Sequence, residues 1–339
     1  MDNEILSKLI AEYDQKKRRA ELDLQERKEE LYKKIPRLQE IEIELNNFAI
    51  NTAKNILKGS SSLSLEALNS KVADLKIEKN RILKEHNIPS TYLEPFYECN
   101  ICKDTGYIQT GTSASSLCSC LKQKLLDISY NKSNISNLSK ENFATFNENI
   151  FSDKIETEKF GINISPRQNI ITIKSKCIDF VKNFDNPDTH NLLFTGNTGL
   201  GKTFMSNCIA NELIKNGKSV LYQTAPVLLE TVIDKKINKY KSSVQDDFYK
   251  NVLEADLLII DDLGTECLNS MKLSELFTIL NTRLLNFNNK VTKTIISTNL
   301  NINNIFKNYE ERIGSRIAGF YDIYYFFGDD LRLKPKHFN

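Results

Sequence analysis

The sequence has almost no net charge. Lys and Arg total 46 against 44 Asp and Glu, a formal charge of +2, so nothing global favours nucleic acid and any such site must be a local patch. It lacks an apolar run approaching the ~18 residues that a membrane-spanning helix needs. Its opening, MDNEILSKLIAEYDQKKRR, is charged from the start and holds no apolar signal segment. No internal repeat recurs. These absences predict a cytoplasmic protein without a membrane partner, in a compartment where disulfides rarely persist. What is present is a composition of 40% hydrophobic and 27% charged residues over 339 positions. That suits a soluble core in two domains, or one large domain with an extension.

The first 58 residues read as helix. Leu24, Leu31, Leu38 and Leu45 recur every seven positions, with Ile41 and Phe48 on the same face and mostly charged residues between. This narrow seam is the pattern of a coiled coil or a long hairpin, packed either within the chain or against a partner helix. Pro36 should start a second helix or a kink. GSSSLS (59–64) is a break, and Ser64 is positioned to cap a third helix running to about His86. Residues 124–160 are rich in Asn, Ser and Lys and read as a linker that docks through Phe143, Phe146 and Phe151. From about 165 the texture changes to short apolar runs, NLLFTG, SVLYQT, ADLLIIDD, TKTIISTN and DIYYFFG, alternating with helical patterns. That predicts an α/β domain with a mainly parallel sheet.

GNTGLGKT (Gly196, Asn197, Thr198, Gly199, Leu200, Gly201, Lys202, Thr203) matches G-x-x-x-x-G-K-S/T between a strand-like and a helix-like segment. Its glycines let backbone N–H groups turn toward phosphates, and the following helix adds its positive dipole end. Lys202 is expected to reach the β- and γ-phosphates of ATP, and the Thr203 hydroxyl to ligate Mg²⁺. LLIIDD supplies the partner at the sheet's carboxyl edge: Asp261 for Mg²⁺, partly through water, and Asp262 to orient or deprotonate the attacking water. Asn299, at the end of TIISTN, could bond the γ-phosphate or the water, or simply serve a strand-end turn. Arg312 and Arg316 share one helix face. Either they are solvated, or one is a finger reaching a neighbouring subunit's nucleotide, worth roughly 10³ to 10⁵ in rate.

Four of the seven cysteines lie within 22 residues, as Cys99-x₂-Cys102-x₁₅-Cys118-x-Cys120. Four thiolates suit tetrahedral Zn²⁺, and the first pair with its loop resembles a zinc ribbon, although the second pair is spaced by one residue instead of two. An iron–sulfur cluster and redox or uncoordinated thiols are the alternatives. The segment has too few apolar residues for its own core, so a structural metal would make it fold. Cys177, Cys208 and Cys267 are scattered and read as packing or incidental residues. In DKKINKYKSS, Lys235, Lys236, Lys239 and Lys241 surround Tyr240. That is either a solvated helix face or a single-stranded nucleic-acid contact built from phosphate pairing and stacking.

TGNTGLGKT, LLIIDDLGTE, LNTRLLN, TIISTNL and ERIGSRI, in this order, resemble the AAA+ ATPases, and more narrowly the bacterial replicative-helicase loaders of the DnaC/DnaI type with the related IstB transposition ATPases. NFATFNENIF and CNICKDTGYI with CSCLKQ also look like loader relatives. The resemblance implies a five-stranded parallel P-loop sheet at 165–339, after a helical helicase-binding region at 1–95, a Cys₄ zinc module at 96–125 and a linker at 126–164. It implies an ATPase that loads the hexameric replicative helicase on single-stranded DNA and self-associates through its ATPase domain. The IstB branch implies instead a regulator of a transposase on double-stranded DNA, and a zinc-dependent adaptor whose nucleotide site only switches conformation is a third reading. Carried onto this chain, the resemblance makes Lys202 and Thr203 the nucleotide and magnesium residues, Asp261 and Asp262 the acidic pair, Asn299 the first sensor and Arg316 the finger. It places 234–243 in a helical insertion that meets single-stranded DNA. Arg283 matches a family arginine to which the sequence gives no role. Arg332 falls where a second sensor would, although too few residues follow YYFFG for the usual helical lid.

Overall fold

The computed structural model describes residues 3–57, 63–109, 115–129, 140–237, 247–285 and 290–333. Its contacts divide the chain into a unit of Ser7–Ser116 and a unit built on Leu117–Asn339 with Met1–Leu6.

The first unit is helical. Helix α1 (Asn3–Lys34) ends just before Ile35, and Pro36 opens α2 (Pro36–Leu57) as its first residue, where a missing N–H costs nothing. Helix α3 (Leu63–Glu85) already includes Ser64 in its first turn, so Ser64 is not the cap. The heptad seam packs within the chain: Leu31, Leu38 and Ile41 are buried with Leu75, Ile82, Leu83 and Leu93, and Leu45 and Phe48 pack alongside. Charge pairs fix this arrangement from outside. Arg37 forks onto Glu78 at 2.8 and 3.1 Å, and Lys28 and Lys79 both bond Glu42, at 2.8 and 2.9 Å. Burial pushes the Glu42 carboxyl up, but the Lys28, Tyr32 and Lys79 side chains beside it outweigh that and hold it down at about 2. Arg27 lies 5.3 Å from the Tyr92 ring centroid and 4.1 Å from that of Phe96, and donates to the Tyr92 and Glu94 carbonyls. Strands β1 (Tyr107–Gln109) and β2 (Ser115–Leu117) then make a two-stranded sheet.

The second unit holds α4 (Ser119–Ser129), which follows directly from Cys118 and carries Cys120. After α5 (Thr157–Phe160), Ser165 caps α6 (Pro166–Lys182) by accepting from the Gln168 N–H at 3.1 Å. Strand β3 (Asn191–Gly196) leads into α7 (Lys202–Lys215), and β4 (Val220–Thr224) into α8 (Ala225–Ile237) and α9 (Asp247–Glu254). Strand β5 (Leu257–Leu263), α10 (Ser270–Leu284), β6 (Lys293–Thr298), α11 (Ile302–Asn308), α12 (Glu310–Phe320) and β7 (Tyr321–Phe326) follow.

The five strands from β3 to β7 form one parallel sheet in the order β4-β5-β6-β3-β7. This is the α/β P-loop architecture that the resemblance to AAA+ ATPases implied. Every residue of β3 and β6 is buried, which is why these strands read as unbroken apolar runs instead of alternating ones. One core layer holds Met205, Ile209, Tyr222, Ile259 and Ile295. The other holds Leu228, Val252, Leu276, Ile279, Ile296 and Ile313. Phe146 and Phe151 are buried in the first layer with Phe143 packed beside them, so the aromatics of 140–151 dock as their spacing predicted. At the open edge, the Gln123 side chain of α4 accepts from the Val220 N–H at 2.7 Å and donates to the Val220 carbonyl at 3.0 Å. An edge residue of β4 is thereby paired by a side-chain amide. The described residues after β7 form a single 3₁₀ turn, Leu331–Leu333. No helix among the described residues is long and apolar enough to cross a membrane.

Arg283, left without a role by the sequence, is one of the largest fully buried side chains. It donates to the carbonyls of Val252, Leu253, Ala255 and Lys293 at 2.7–3.1 Å and to Thr294 Oγ1 at 3.0 Å. Burial lowers its pKa to about 10. The guanidinium ties the end of α9 to the starts of β5 and β6, the sheet edge opposite the phosphate loop. Replacing it leaves several buried carbonyls without donors, at about 1–3 kcal/mol each. Arg283→Met should therefore lose about 3 kcal/mol or more in urea denaturation; an unchanged midpoint would contradict this role.

Candidate functional site

The site is built at the carboxyl ends of β3, β5 and β6. Gly196 closes β3, residues 197–201 turn over it, and Lys202 starts α7. The turn needs its glycines. Gly196, Gly199 and Gly201 sit at φ +137°, +73° and +88°, in the region L side chains rarely adopt. A Cβ on Gly196 would also lie 2.0 Å from the Phe326 carbonyl oxygen. Asn197 and Thr198 are exposed, Leu200 is buried beneath the loop, and Thr203 faces solvent. The segment after β7 returns here: the Leu331 N–H donates to the Gly199 carbonyl at 3.0 Å, and the Asp330 carboxylate lies against Gly199.

Lys202 is buried, and its ammonium is fully used. It donates to the carbonyls of Gly196 and Asn197 at 2.6 and 2.7 Å and to Asn299 Oδ1 at 2.8 Å, which accounts for its three protons. Burial pulls its pKa down to about 8, against the raising charges of Asp262 and Asp261; Arg332 pushes the same way as burial. The structure thus brings Asn299 to the phosphate-loop lysine and Arg332 within electrostatic reach of it.

The acidic pair owes its geometry to a bulge. The β5–β6 register runs Ile260↔Ile296 and then Leu263↔Thr298, so β5 carries one extra residue, and Asp262 sits at φ +55°. Asp tolerates this left-handed conformation better than most residues. The bulge lets consecutive aspartates take different surroundings: Asp261 is buried while Asp262 opens to solvent. Asp261 Oδ2 accepts from Thr203 Oγ1 at 3.1 Å and from the Tyr222 hydroxyl. Its Oδ1 accepts from Ser297 Oγ and, at 3.1 Å, from the Asp262 N–H. The packing around the Asp262 carboxyl, and then the Asp261 charge, push its pKa up, while Lys202 and Arg332 pull it down. The donor set fits magnesium. Thr203 Oγ1 and Asp261 Oδ2 are 3.1 Å apart, and two adjacent ligands of an octahedral Mg²⁺ with bonds of ~2.1 Å lie about 3 Å apart.

Sequence reasoning passed over Tyr222 and Ser297, whose only signal was a hydroxyl in the interior of a buried strand, VLYQT and KTIIST, since a buried hydroxyl needs a partner.

The other expected residues lie elsewhere. Arg316 is half-buried on α12, where its Nε donates to Asn281 Oδ1 at 3.1 Å and its guanidinium lies 6.0 Å from the Phe277 ring centroid. Lys236 pairs with Glu275 at 2.6 Å and lies 4.8 Å from the Tyr249 ring centroid; Lys235 lies 5.3 Å from that of Phe248. Lys239, Tyr240 and Lys241 lie outside the described residues.

Cys99, Cys102, Cys118 and Cys120 form a cluster whose sulfurs all lie within 4.8 Å of one another. Four sulfurs at ~2.3 Å from one zinc would be about 3.8 Å apart, so the set fits a tetrahedral ion. The turn around the first pair is shaped by local bonds. Lys103 and Asp104 take positive φ, the Asp104 carboxylate accepts from the Glu98 and Cys99 N–H groups at 2.9 and 2.8 Å, and the Gly106 N–H points at Cys102 Sγ at 3.3 Å.

The Gly196 geometry generates a prediction. Gly196→Ala should cost about 1–3 kcal/mol of backbone strain and weaken nucleotide binding measured by calorimetry. A variant with wild-type stability and affinity would contradict it.

Residues 141–312, just over half of the chain, match the family described as IstB-like ATP binding protein. The replicative helicase loader DnaC of Escherichia coli (strain K12) is 33% identical over 92 residues, covering 27% of this chain and 36% of that protein. The chromosomal replication initiator protein DnaA of Buchnera aphidicola subsp. Cinara cedri is 36% identical over 116 residues, covering 34% of this chain and 24% of that protein. The matches thus span about a third or less of these curated relatives. Among solved structures, the DnaC helicase loader gives a TM-score of 0.43 at 20% identity, covering 57% of this chain and 99% of that one; DnaI gives 0.39 at 20%, covering 58% and 100%. By the match over its phosphate loop, acidic pair and Asn299, the chain belongs to the IstB-like ATP binding protein family.

Proposed function

We propose that this protein is a cytoplasmic, ATP-driven loader of the hexameric replicative DNA helicase onto single-stranded DNA. The observation that carries the reading is the convergence of Lys202, Thr203, Asp261, Asp262 and Asn299 at one sheet edge. Its occurrence in an ATP-binding family with DnaC among the relatives supports it.

In this reading Lys202 exchanges its loop carbonyls for the β- and γ-phosphates of ATP. Thr203 and Asp261 hold Mg²⁺, which when bound neutralises phosphate charge. Asp262, turned outward by the bulge, orients the attacking water and takes its proton. Asn299, released by Lys202, bonds the γ-phosphate, so occupancy of the site is read at the end of β6. Arg332 adds positive charge beside the phosphates from the same chain. Chains self-associate through the ATPase domain, and Arg316 of one subunit leaves Asn281 to reach the nucleotide of the next. Lys235 and Lys236, with Lys239, Tyr240 and Lys241, contact single-stranded DNA. The helices of 1–95 grip the helicase, and the four cysteines hold a structural zinc. ATP binding favours the loading-competent assembly, and hydrolysis releases it.

The test is co-elution with the host's replicative helicase, with and without ATP, by size exclusion with light scattering. A complex that is lost when residues 1–95 are deleted is expected. The family's IstB-like description favours one other reading, a transposase regulator; no helicase complex in any nucleotide state, with tight double-stranded DNA binding, would select it. Zinc analysis of the purified protein should give about one equivalent, lost in the Cys102→Ser/Cys118→Ser double variant. A metal-free protein that stays folded and active would remove the zinc module.

A further inference from the structure

Asp261 is over-supplied with donors, and one of them comes from an element that the proposed ATP chemistry does not otherwise use. A carboxylate offers about four lone-pair sites, and here all four are filled: Oδ2 by Thr203 and Tyr222, Oδ1 by Ser297 and the Asp262 N–H. Only Thr203 belongs to the phosphate loop. Tyr222 and Ser297 come from the two strands that flank β5 in the sheet.

Side-chain alternation explains how they meet. Tyr222 shares its core layer with Met205 and Ile209 of α7, with Ile259 and with Ile295. Asp261 is two residues beyond Ile259, and Ser297 two beyond Ile295, so both return to that face. Tyr222 pairs in register with Ile259, and Thr224 with Asp261. The tyrosine ring therefore has to run along the strand for one full repeat before its hydroxyl reaches the carboxylate. A tyrosine is long enough to do so, whereas serine or threonine at 222 would stop short. The ring is 2% exposed, so its orientation is set by core packing and not by the loop. Tyr222 and Thr203 donate to the same oxygen of Asp261, which places the tyrosine hydroxyl beside both groups of the proposed magnesium pair.

We infer that Tyr222 is a positioning residue for the metal carboxylate. Its hydroxyl, opposed by Ser297 on the other oxygen, fixes the plane of Asp261 so that one edge faces Thr203 before nucleotide and metal arrive. This inference rests on the ATP·Mg²⁺ reading of the site. It adds to that reading a residue on β4, ahead of α8, whose contribution is to metal affinity and not to phosphate contact. Partners of this kind around metal-binding carboxylates typically set affinity by 10–100-fold.

The test is calorimetric titration of the full chain with ATP, first in EDTA and then across a Mg²⁺ series. Tyr222→Phe keeps the ring in the core and removes only the hydroxyl. It should bind ATP in EDTA as the wild type does, yet require about 10-fold more Mg²⁺ or higher for half of the metal-dependent gain in affinity. Ser297→Ala, a smaller change on the opposite oxygen, should shift the Mg²⁺ midpoint the same way. Thermal denaturation of both variants separates this from loss of fold, because a merely structural role would lower the melting temperature and leave the Mg²⁺ midpoint in place. A wild type with metal-dependent binding and a Tyr222→Phe variant with the same midpoint would overturn this inference alone. A wild type whose ATP binding ignores Mg²⁺ would overturn the ATP·Mg²⁺ reading, and this inference with it.

Discussion

The buried ammonium of Lys202 is the interaction on which the carboxyl edge of the sheet depends. A buried charge is tolerated only when its protons are bonded. Here the acceptors are the loop's own carbonyls and Asn299, drawn from β3, the turn after it and β6. That single requirement joins the phosphate loop to the end of β6. Beside it, Asp261 has to be satisfied as well, and it takes donors from α7, β4, β5 and β6. The two buried charges together tie every strand of the sheet except β7 to the nucleotide site, and β7 enters through the Phe326 carbonyl against Gly196 and the turn that follows it. Whatever displaces Lys202 from Asn299 breaks the bond that joins β3 and its turn to the end of β6.

Much of this was legible beforehand, for a physical reason. Phosphate binding demands residue types at fixed spacing, so GNTGLGKT and LLIIDD announced themselves, and buried parallel strands announce themselves as apolar runs. Contacts made across the sheet leave a weaker trace. Tyr222 and Ser297 are far apart in sequence, and only the register of β4, β5 and β6 brings them to one carboxylate. Arg283 could be matched but not explained, because its partners are backbone carbonyls, which carry no sequence signature. Asp262's left-handed turn likewise follows from a bulge that residue identities do not reveal.

The N-terminal seam shows a different limit. Period seven said that Leu31, Leu38 and Ile41 face another helix, not which chain supplies it. The structure supplies α3 from within, and the network of Arg37, Glu78, Lys28, Lys79 and Glu42 holds that choice from the polar side. In the second unit, α4 follows directly from Cys118 and carries Cys120, and its Gln123 amide pairs with β4, the strand of Tyr222. A helix that begins at the cysteine cluster is therefore fastened two residues from the side chain that orients Asp261.

In the proposed function, an ATP-occupied site at this sheet edge drives a helicase onto single-stranded DNA. The most direct measurement is strand displacement by the hexameric helicase on a closed single-stranded circle coated with single-stranded-DNA-binding protein, where threading a strand end is impossible. Displacement is expected with this protein and ATP, and none with Lys202→Ala. Equal displacement with Lys202→Ala, or none with the wild-type chain, would contradict it.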